Sequence, residues 1–151
     1  MASESQSTYR ERIFPGISAF LSTILIIPAA LIVFLPISVA IGIVVAILLY
    51  LVVLCFLLFS SPLVEVSNGT LHAGPASLPV SVVRTAEAFT GEEATAERGR
   101  RLDARAWLMI RGWATGVVKV DLDDPNDPTP YWLVSSRRPN ELADAINAAR
   151  A

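Results

Sequence analysis

Three residue types are scarce in this chain of 151 residues, which has one cysteine, one histidine and one lysine. A single cysteine, Cys55, excludes an internal disulfide and a multi-cysteine zinc site. Twelve basic residues against fourteen acidic ones give a net charge of -2. The chain therefore lacks the basic excess that is typical of nucleic-acid-binding proteins, and we expect no nucleic acid among its partners.

Charge is absent from one long segment of the sequence. No Asp, Glu, Lys, Arg or His occurs between Ile13 and Val64, and 38 of the 47 residues from 13 to 59 are apolar. An α-helix needs about 20 residues to cross about 30 Å of hydrocarbon, so the segment suffices for two crossings and a tight turn. A signal peptide would have a shorter apolar core, and tilt would not accommodate one helix of this length. The sequence predicts a transmembrane helical hairpin over residues 13–60.

The turn of the hairpin is predicted at Pro36, because proline lacks an amide donor and disfavours helix in the residue before it. Helices are predicted at about 15–35 and about 37–59, with a kink at Pro28. We expect the helices to pair by setting small residues against large ones. The expected contacts set Ser38, Gly42 and Ala46 against Leu35, Leu31 and Ile27, and Ser22 and Ser18 against Leu51 and Cys55.

A hairpin returns the chain to the side of the membrane that it left, so both ends of the chain share one compartment. Arg10 and Arg12 precede the first helix, whereas the connecting turn carries no charge. The positive-inside rule then places both termini in the cytoplasm. We expect a multi-pass protein of the inner (plasma) membrane, with a cytoplasmic N-terminal tail at 1–12 and a cytoplasmic domain at 61–151.

Residues 61–151 have the pattern of a small β-rich domain. Asn68-Gly69 is a strong two-residue hairpin signal between strands predicted at 63–67 and 70–73. Val118 to Leu122 alternates with the period of a half-buried strand. Further strands are predicted at 77–89, 107–111, 115–122 and 131–135. Residues 139–150 are predicted to form an amphipathic helix that starts with a proline.

The predicted fold class is an α+β membrane protein, in which a two-helix transmembrane hairpin precedes a small antiparallel β-rich domain with a C-terminal helix. Six or seven antiparallel strands leave two sheet edges and one opening, which a terminal helix can cover. This order of elements resembles a pleckstrin-homology (PH) domain, built as a curved sheet or partial barrel. Such a fold would not by itself establish lipid binding.

Several short motifs resemble those of one family. They are Tyr9-Arg10-Glu11-Arg12, Val64-Glu65-Val66, Asn68-Gly69 and Asp127-Pro128-Thr129-Pro130-Tyr131-Trp132-Leu133-Val134-Ser135-Ser136-Arg137-Arg138-Pro139. On these residues the chain is similar, over nearly its whole length, to the actinobacterial membrane proteins grouped as domain of unknown function 3093. Eleven arginines against one lysine suit the high-GC genome of such an organism. The resemblance implies a lineage and no reaction, ligand or catalytic residue.

A charged segment at 91–105 contains most of the candidate site. Three glutamates precede four arginines, an order that suits the dipole of a short helix. One interpretation is a basic patch on anionic lipid headgroups, where each basic residue contributes about 1 kcal/mol near the membrane surface. The other is a solvated loop with internal Glu–Arg pairs, which the three acids favour. The candidate contacts are Arg98, Arg100, Arg101 and Arg105.

Trp113 is the remaining candidate contact. It separates two predicted strands close to Gly112 and Gly116, so it is a better candidate for an exposed contact than Trp107 or Trp132, which we expect in the core. An amphipathic indole suits either a membrane interface or a protein partner. The sequence leaves both possibilities open.

Catalytic and metal-binding patterns are weak. Four aspartates lie between positions 121 and 127, but Pro125 interrupts them, Pro128 follows them, and the glycine and distal glutamate of a calcium loop are missing. We expect a solvated turn there. His72 has no second histidine or neighbouring cysteine as partner, so we expect a surface or half-buried strand position. The sequence predicts no enzyme activity and no cofactor.

The function expected from these features is that of a non-enzymatic, membrane-anchored accessory or interaction module. Its cytoplasmic domain would bind a protein partner or support a membrane assembly, including a homo-oligomer. The alternative is peripheral recognition of anionic lipid headgroups by the same domain. A two-helix hairpin without an intramembrane ionisable group is too small to form a transport pathway alone.

Overall fold

The computed structural model describes residues 7–151, which fall into two compact units. One unit is the apolar segment Phe14–Ser61, and the other combines the described residues up to Ile13 with Pro62–Ala151. The second unit, called the domain below, contains two four-stranded sheets. The fold is α+β, as predicted, and the apolar segment is an insertion within the domain sequence.

The apolar unit is a helical hairpin whose first arm is broken. Its helices are α1 (Ile17–Ile24), α2 (Ile26–Phe34) and α3 (Val39–Phe59). The predicted turn around Pro36 lies between α2 and α3. The break falls at Leu25 rather than at Pro28, because Pro28 lacks the amide that would bond to the Ile24 carbonyl and its ring crowds that oxygen.

Both arms of the hairpin are long and apolar enough to cross a membrane. Ile17–Phe34 has a mean hydropathy of 2.5 and Val39–Phe59 has one of 3.2. Only 6% of the first arm and 11% of the second are buried, which is unlike the core helix of a soluble protein. This composition allows a membrane association.

Helices α2 and α3 pack through small residues of α3. Gly42 and Ala46 are buried. A Cβ atom at Gly42 would lie 3.3 Å from the Cβ of Phe34 and 3.5 Å from Cδ2 of Leu31. The predicted contact with Leu31 is therefore present, while Phe34 replaces the exposed Leu35.

The second half of the predicted helix packing is wrong. Ser18, Ser22, Leu51 and Cys55 are all exposed, and the hydroxyl of Ser22 donates to the Ser18 carbonyl over 2.8 Å. Thr23 is the buried residue of α1. The break between α1 and α2 changes the helical phase, so a register extrapolated from the turn does not continue into α1.

The first sheet of the domain is antiparallel throughout. Its strands, in spatial order, are β1 (Ser7–Arg12), β2 (Leu63–Ser67), β3 (Thr70–Ala73) and β4 (Ala76–Pro79). Asn68 and Gly69 connect β2 and β3 as predicted, with φ angles of 49° and 70°. Positive φ at both positions is the requirement of a tight hairpin turn.

Strand β1 corrects the predicted N-terminal tail at 1–12. Residues 7–12 pair with β2 inside the domain, and residues 1–6 lie outside the described residues. Tyr9, Glu11 and Ile13 are buried, whereas Arg10 and Arg12 are exposed. This is the alternation of a half-buried strand, and the charged Glu11 at an inward position conceals it in the sequence.

The second sheet has the spatial order β5-β7-β8-β6. A single 3₁₀ turn at Val80–Val82 precedes it and divides the strand predicted at 77–89. The strands are β5 (Val83–Phe89), β6 (Trp107–Met109), β7 (Gly116–Leu122) and β8 (Tyr131–Ser136).

The pairing of β6 with β8 is parallel, which corrects the prediction of an entirely antiparallel domain. Strand β8 lies between β6 and β7, so residues 110–115 connect two strands that are not neighbours. All six residues of β8 are buried. A strand buried on both faces favours a central position in a sheet, whereas the short β6 remains at an edge.

Helix α4 (Gly91–Arg98) follows β5, and helix α5 (Pro139–Arg150) is the predicted C-terminal helix. It contacts strands of both sheets, and Leu142 and Ile146 on its inner face are fully buried. The side-chain amide of Asn147 accepts a 3.1 Å hydrogen bond from the Ala86 amide and donates a 2.9 Å bond to the Ala86 carbonyl. Asn147 thus occupies backbone groups of the edge strand β5.

Candidate functional site

The candidate arginines lie at the end of helix α4 (Gly91–Arg98) and in the loop that follows it. Glu92 and Glu93 occupy the first turn and Arg98 the last turn, the charge order that a helix dipole favours. Ala94 is fully buried and packs with Val117 of the second sheet. The predicted short helix is therefore fixed to the sheet.

Glu97 is a buried carboxylate in α4 that the sequence analysis did not single out. It is 3% exposed, and its two oxygens lie 3.2 Å from Nη1 of Arg101 and 3.3 Å from Nζ of Lys119. Nζ of Lys119 also lies 4.5 Å from the centre of the Tyr131 ring, within cation–π distance. Because a buried charge requires partners, these contacts connect α4 to β7. Lys119 is the only lysine of the chain and lies on a predicted strand. It was the sequence feature from which a buried carboxylate partner could have been inferred.

Arg101 and Arg105 are paired with acidic side chains. Arg101 Nη1 lies 2.6 Å from Glu93 Oε2, in addition to its contact with Glu97. Arg105 donates to both carboxylate oxygens of Asp103, over 3.2 and 3.0 Å. The hydrogen bonds from Arg105 lower the pKa of Asp103 to about 2. Arg101 and Arg105 therefore form internal ion pairs, as expected if this segment is a solvated loop.

Arg98 and Arg100 have no such carboxylate partner within residues 7–151. Nη2 of Arg98 donates to the backbone carbonyls of Ala114 and Thr115, over 3.1 and 2.9 Å. Nε of Arg98 is buried and has no hydrogen-bond partner among the described residues. Arg100 is exposed. The positive charges of both side chains are therefore not neutralised by an ion pair in this part of the chain.

Arg98 and Arg100 line an open pocket of about 870 Å³ between α4 and the loop before β7. A volume of this order suits a small ligand or the polar part of a larger one. The other lining residues include Glu92, Thr95, Gly99, Gly112, Ala114 and Thr115. The pocket thus brings together two of the four candidate arginines and separates them from the paired Arg101 and Arg105.

Trp113 is half-buried rather than fully exposed. It packs against the main core of the domain, and its Nε1 donates a 3.3 Å hydrogen bond to the carbonyl of Ile13. Ile13 is the last residue of the domain before the apolar segment. The indole therefore lies at the end of the domain where the chain enters that segment. Trp107 and Trp132 stack with ring centres 4.0 Å apart, and Trp132 is buried as expected.

The aspartate-rich segment forms turns. Oδ1 of Asp124 accepts the Asn126 amide over 2.9 Å, and Oδ1 of Asp127 accepts the Thr129 amide over 2.8 Å. The hydrogen bonds from Thr129 lower the pKa of Asp127. His72 is half-buried in β3, at a strand position of the kind predicted. Within the described chain, no group of three His, Cys, Asp or Glu side chains could hold a metal ion.

The comparison with protein families identifies the chain. A model of the family described as Protein of unknown function (DUF3093) matches residues 8–146. The chain belongs to this family. The matched range begins in β1 and ends in α5, so the family model includes both the hairpin and the two sheets. No curated protein and no solved structure matches the chain, and its actinobacterial origin stays a prediction.

Proposed function

We propose that this family member is a non-enzymatic, membrane-anchored interaction module. Its hairpin crosses the plasma membrane twice, and its domain lies on the cytoplasmic side together with both termini. There the domain binds a protein partner or supports a membrane assembly. The contacts of α5 with both sheets support a partial barrel of the PH type, with the helix covering its opening.

The pairing of β1 with β2 is the observation that carries the proposal. Arg12 lies opposite Leu63, and the Ile13 amide donates to the Pro62 carbonyl over 3.0 Å. The two ends of the apolar segment thus leave from hydrogen-bonded neighbours in one sheet. A segment whose ends are this close enters and leaves a bilayer on the same side. This supports an even number of crossings, and the two apolar arms supply two.

Charge next to the hairpin supports the cytoplasmic orientation. Arg10 and Arg12 are exposed side chains of β1, and both lie within a few residues of the first helix. The turn between α2 and α3 has no charged residue. Basic residues flanking a membrane helix remain on the cytoplasmic side, so the domain is retained there together with the termini.

Reporter fusions to the full chain test the topology. We expect a green fluorescent protein at the C-terminus to fluoresce and alkaline phosphatase at the same position to be inactive. We also expect Ile37→Cys, in a Cys55→Ser background, to react with an impermeant maleimide on intact spheroplasts. The Cys55→Ser chain is the labelling control. Active phosphatase at the C-terminus would contradict the proposed orientation.

Strand β6 is the proposed contact for a protein partner. Among the described residues of the domain, Leu108 in β6 is the one large hydrophobic side chain that is exposed, at 43%. An edge strand offers unpaired backbone groups to an extended segment of another protein. The opposite edge, β5, is occupied at Ala86 by Asn147. Within this sheet, β6 is the more accessible edge.

Purification of the full chain from native membranes in mild detergent tests partner binding. We expect a stoichiometric protein companion with the natural chain and its loss with Leu108→Lys, which places a charge on the edge strand. Ala104→Lys adds the same charge at a nearby exposed position and should retain the companion. Equal recovery with both variants would exclude β6 as the contact.

Peripheral recognition of anionic lipid headgroups is the second candidate function. It is favoured by one observation, the pocket with the two arginines that lack carboxylate partners. Retention of anionic lipid without a protein companion, in the same purification, would favour this candidate over the first.

A further inference from the structure

We propose that the pocket between α4 and the loop before β7 binds a phosphodiester anion through Arg98 and Arg100. This inference names the chemical class of ligand for the second candidate function. It rests on that function for the source of the phosphate, which is a lipid headgroup if that function holds. A soluble phosphodiester has the same charge and the same acceptor oxygens. The pocket itself is built entirely from residues of the domain.

The distribution of charge around α4 identifies this pocket. Four arginines follow one another closely, but Arg101 and Arg105 are paired with carboxylates. Arg98 and Arg100 are not, and these two line the pocket. A cation in a partly desolvated wall attracts an anion more strongly than one in bulk water. The pocket therefore differs from the surrounding charged surface.

Arg98 is already held in position to receive an anion. Two carbonyl oxygens accept hydrogen bonds from its Nη2, at 3.1 and 2.9 Å. A guanidinium has five N–H donors, and those of Nη1 make no hydrogen bond within the described chain. Because the group is fixed by the backbone of Ala114 and Thr115, binding immobilises little additional side chain. Arg100, which is exposed, can present the planar fork that matches two phosphate oxygens.

The net charge of the lining selects among phosphates. Two arginines and Glu92 give the described lining a net charge of +1. This matches the single negative charge of a phosphodiester, such as that of a glycerophospholipid. A phosphomonoester or polyphosphate would carry more negative charge than this lining neutralises. We therefore expect a phosphodiester to bind more tightly than inorganic phosphate.

Hydrogen bonding and chain connectivity link the pocket to Ile13, the last domain residue before the apolar segment. Ala114 and Thr115 line the pocket, and the preceding Trp113 is hydrogen-bonded to Ile13, where the apolar segment begins. If the hairpin crosses the bilayer, the domain end that carries Trp113 is the end tethered to it. This favours a lipid as the source of the phosphodiester.

The test uses the full chain, because β1 belongs to the domain and a fragment starting after the hairpin would lack it. Nanodiscs of phosphatidylcholine, with and without phosphatidylglycerol, provide the lipid arm, and native mass spectrometry counts the lipids that are retained. Glycerophosphoglycerol and inorganic phosphate, added to the chain in an uncharged detergent, provide the soluble arm. Their binding is measured by calorimetry.

Two double variants remove the same charge from neighbouring positions. We expect Arg98→Gln with Arg100→Gln to weaken phosphodiester binding about tenfold, because charge-assisted hydrogen bonds are lost. Arg101→Gln with Arg105→Gln is the matched control and should change binding less than twofold, a range of about 0.4 kcal/mol. Arg100→Gln alone, at an exposed position, should still weaken binding, which keeps the test valid if Arg98→Gln disturbs the loop.

The outcomes separate this inference from the proposed function. Loss of phosphatidylglycerol and glycerophosphoglycerol binding in the first double variant supports the site, and loss of the lipid alone supports a site that also needs the bilayer. Equal loss in both double variants, or no binding of either probe, overturns it. The reporter fusions that test the topology do not depend on the pocket. They reveal a failure of the proposed membrane anchoring whatever the binding results are.

Discussion

The hydroxyl of Tyr9 donates a 2.7 Å hydrogen bond to the buried carboxylate of Glu11. The hydroxyl of Ser136 donates to the same oxygen over 2.6 Å, and the Arg137 amide donates to the other oxygen over 3.0 Å. Ser136 lies at the end of β8, just before α5. The strand that precedes the apolar segment is therefore fixed to the C-terminal part of the domain by a carboxylate.

Replacement of Glu11 by alanine should destabilise the domain. It removes the acceptor of three hydrogen bonds, and unsatisfied buried donors cost about 1–3 kcal/mol each. Because the two hydroxyls can form other bonds, we expect a total loss of about 2–3 kcal/mol in the free energy of unfolding. Urea titration of the full chain in mild detergent measures it.

The control for this variant is Glu65→Ala. Glu65 lies next to β1 on the neighbouring strand, and its contact with Arg10 is long, at 4.0 Å, and partly exposed. Such a pair contributes less than about 1 kcal/mol. A Glu11→Ala loss no larger than that of Glu65→Ala would show that the carboxylate network does not hold β1.

The buried hydroxyl of Tyr9 should make the stability of the domain decline at alkaline pH. Burial raises the pKa of its hydroxyl above the ordinary value of 10.0. The folded chain therefore keeps a proton that the unfolded chain loses, so this contribution to stability is complete below pH 10 and declines as the pH rises further. Tyr9→Phe should flatten the decline. The measurement is the free energy of unfolding on both sides of pH 10, and equal slopes for the two chains would contradict it.

Features with a strong local cause could be predicted from the sequence. Asn68-Gly69 is a hairpin in the structure because few residue pairs adopt positive φ at both positions. Pro36 and Pro139 mark a turn and a helix start because proline has no amide to donate. The C-terminal helix follows from its apolar face.

Features that depend on distant parts of the chain could not be predicted. Strand β1 has its partner more than fifty residues away across the apolar segment, and Glu11 resembles a surface residue until its donors from β8 are known. The parallel pairing of β6 depends on the burial of β8. The four arginines look equivalent in sequence, and the positions of Glu93, Glu97 and Asp103 in the fold divide them into paired and unpaired.

Gly42 allows α2 and α3 to pack closely in the hairpin. Its hydrogen faces Phe34, whose Cβ would lie 3.3 Å from an added Cβ, so Gly42→Leu should force α2 and α3 apart. Overpacking of this kind costs about 1–3 kcal/mol. Ala40→Leu places the same side chain at an exposed position of α3 and serves as control. Thermal unfolding in detergent compares them, and identical midpoints would argue against the α2–α3 contact.

Gly116 of β7 packs closely against the start of helix α5. A Cβ atom there would lie 2.5 Å from Cγ of Pro139 and 3.0 Å from the Ser136 carbonyl oxygen. Neither a proline ring nor a backbone carbonyl moves easily, so we expect Gly116→Ala to destabilise the domain by about 1–3 kcal/mol. It should also speed hydrogen exchange in the first turn of α5.

Gly112→Ala is the control for this contact, because an added Cβ there meets no atom within 4 Å. Where an alanine fits, it stabilises a protein by reducing the entropy of the unfolded chain, by about 0.4–1 kcal/mol. The two substitutions should therefore differ in sign when unfolding is measured in urea. A stabilising Gly116→Ala would mean that β7 and the start of α5 do not approach each other as closely as the structure has them.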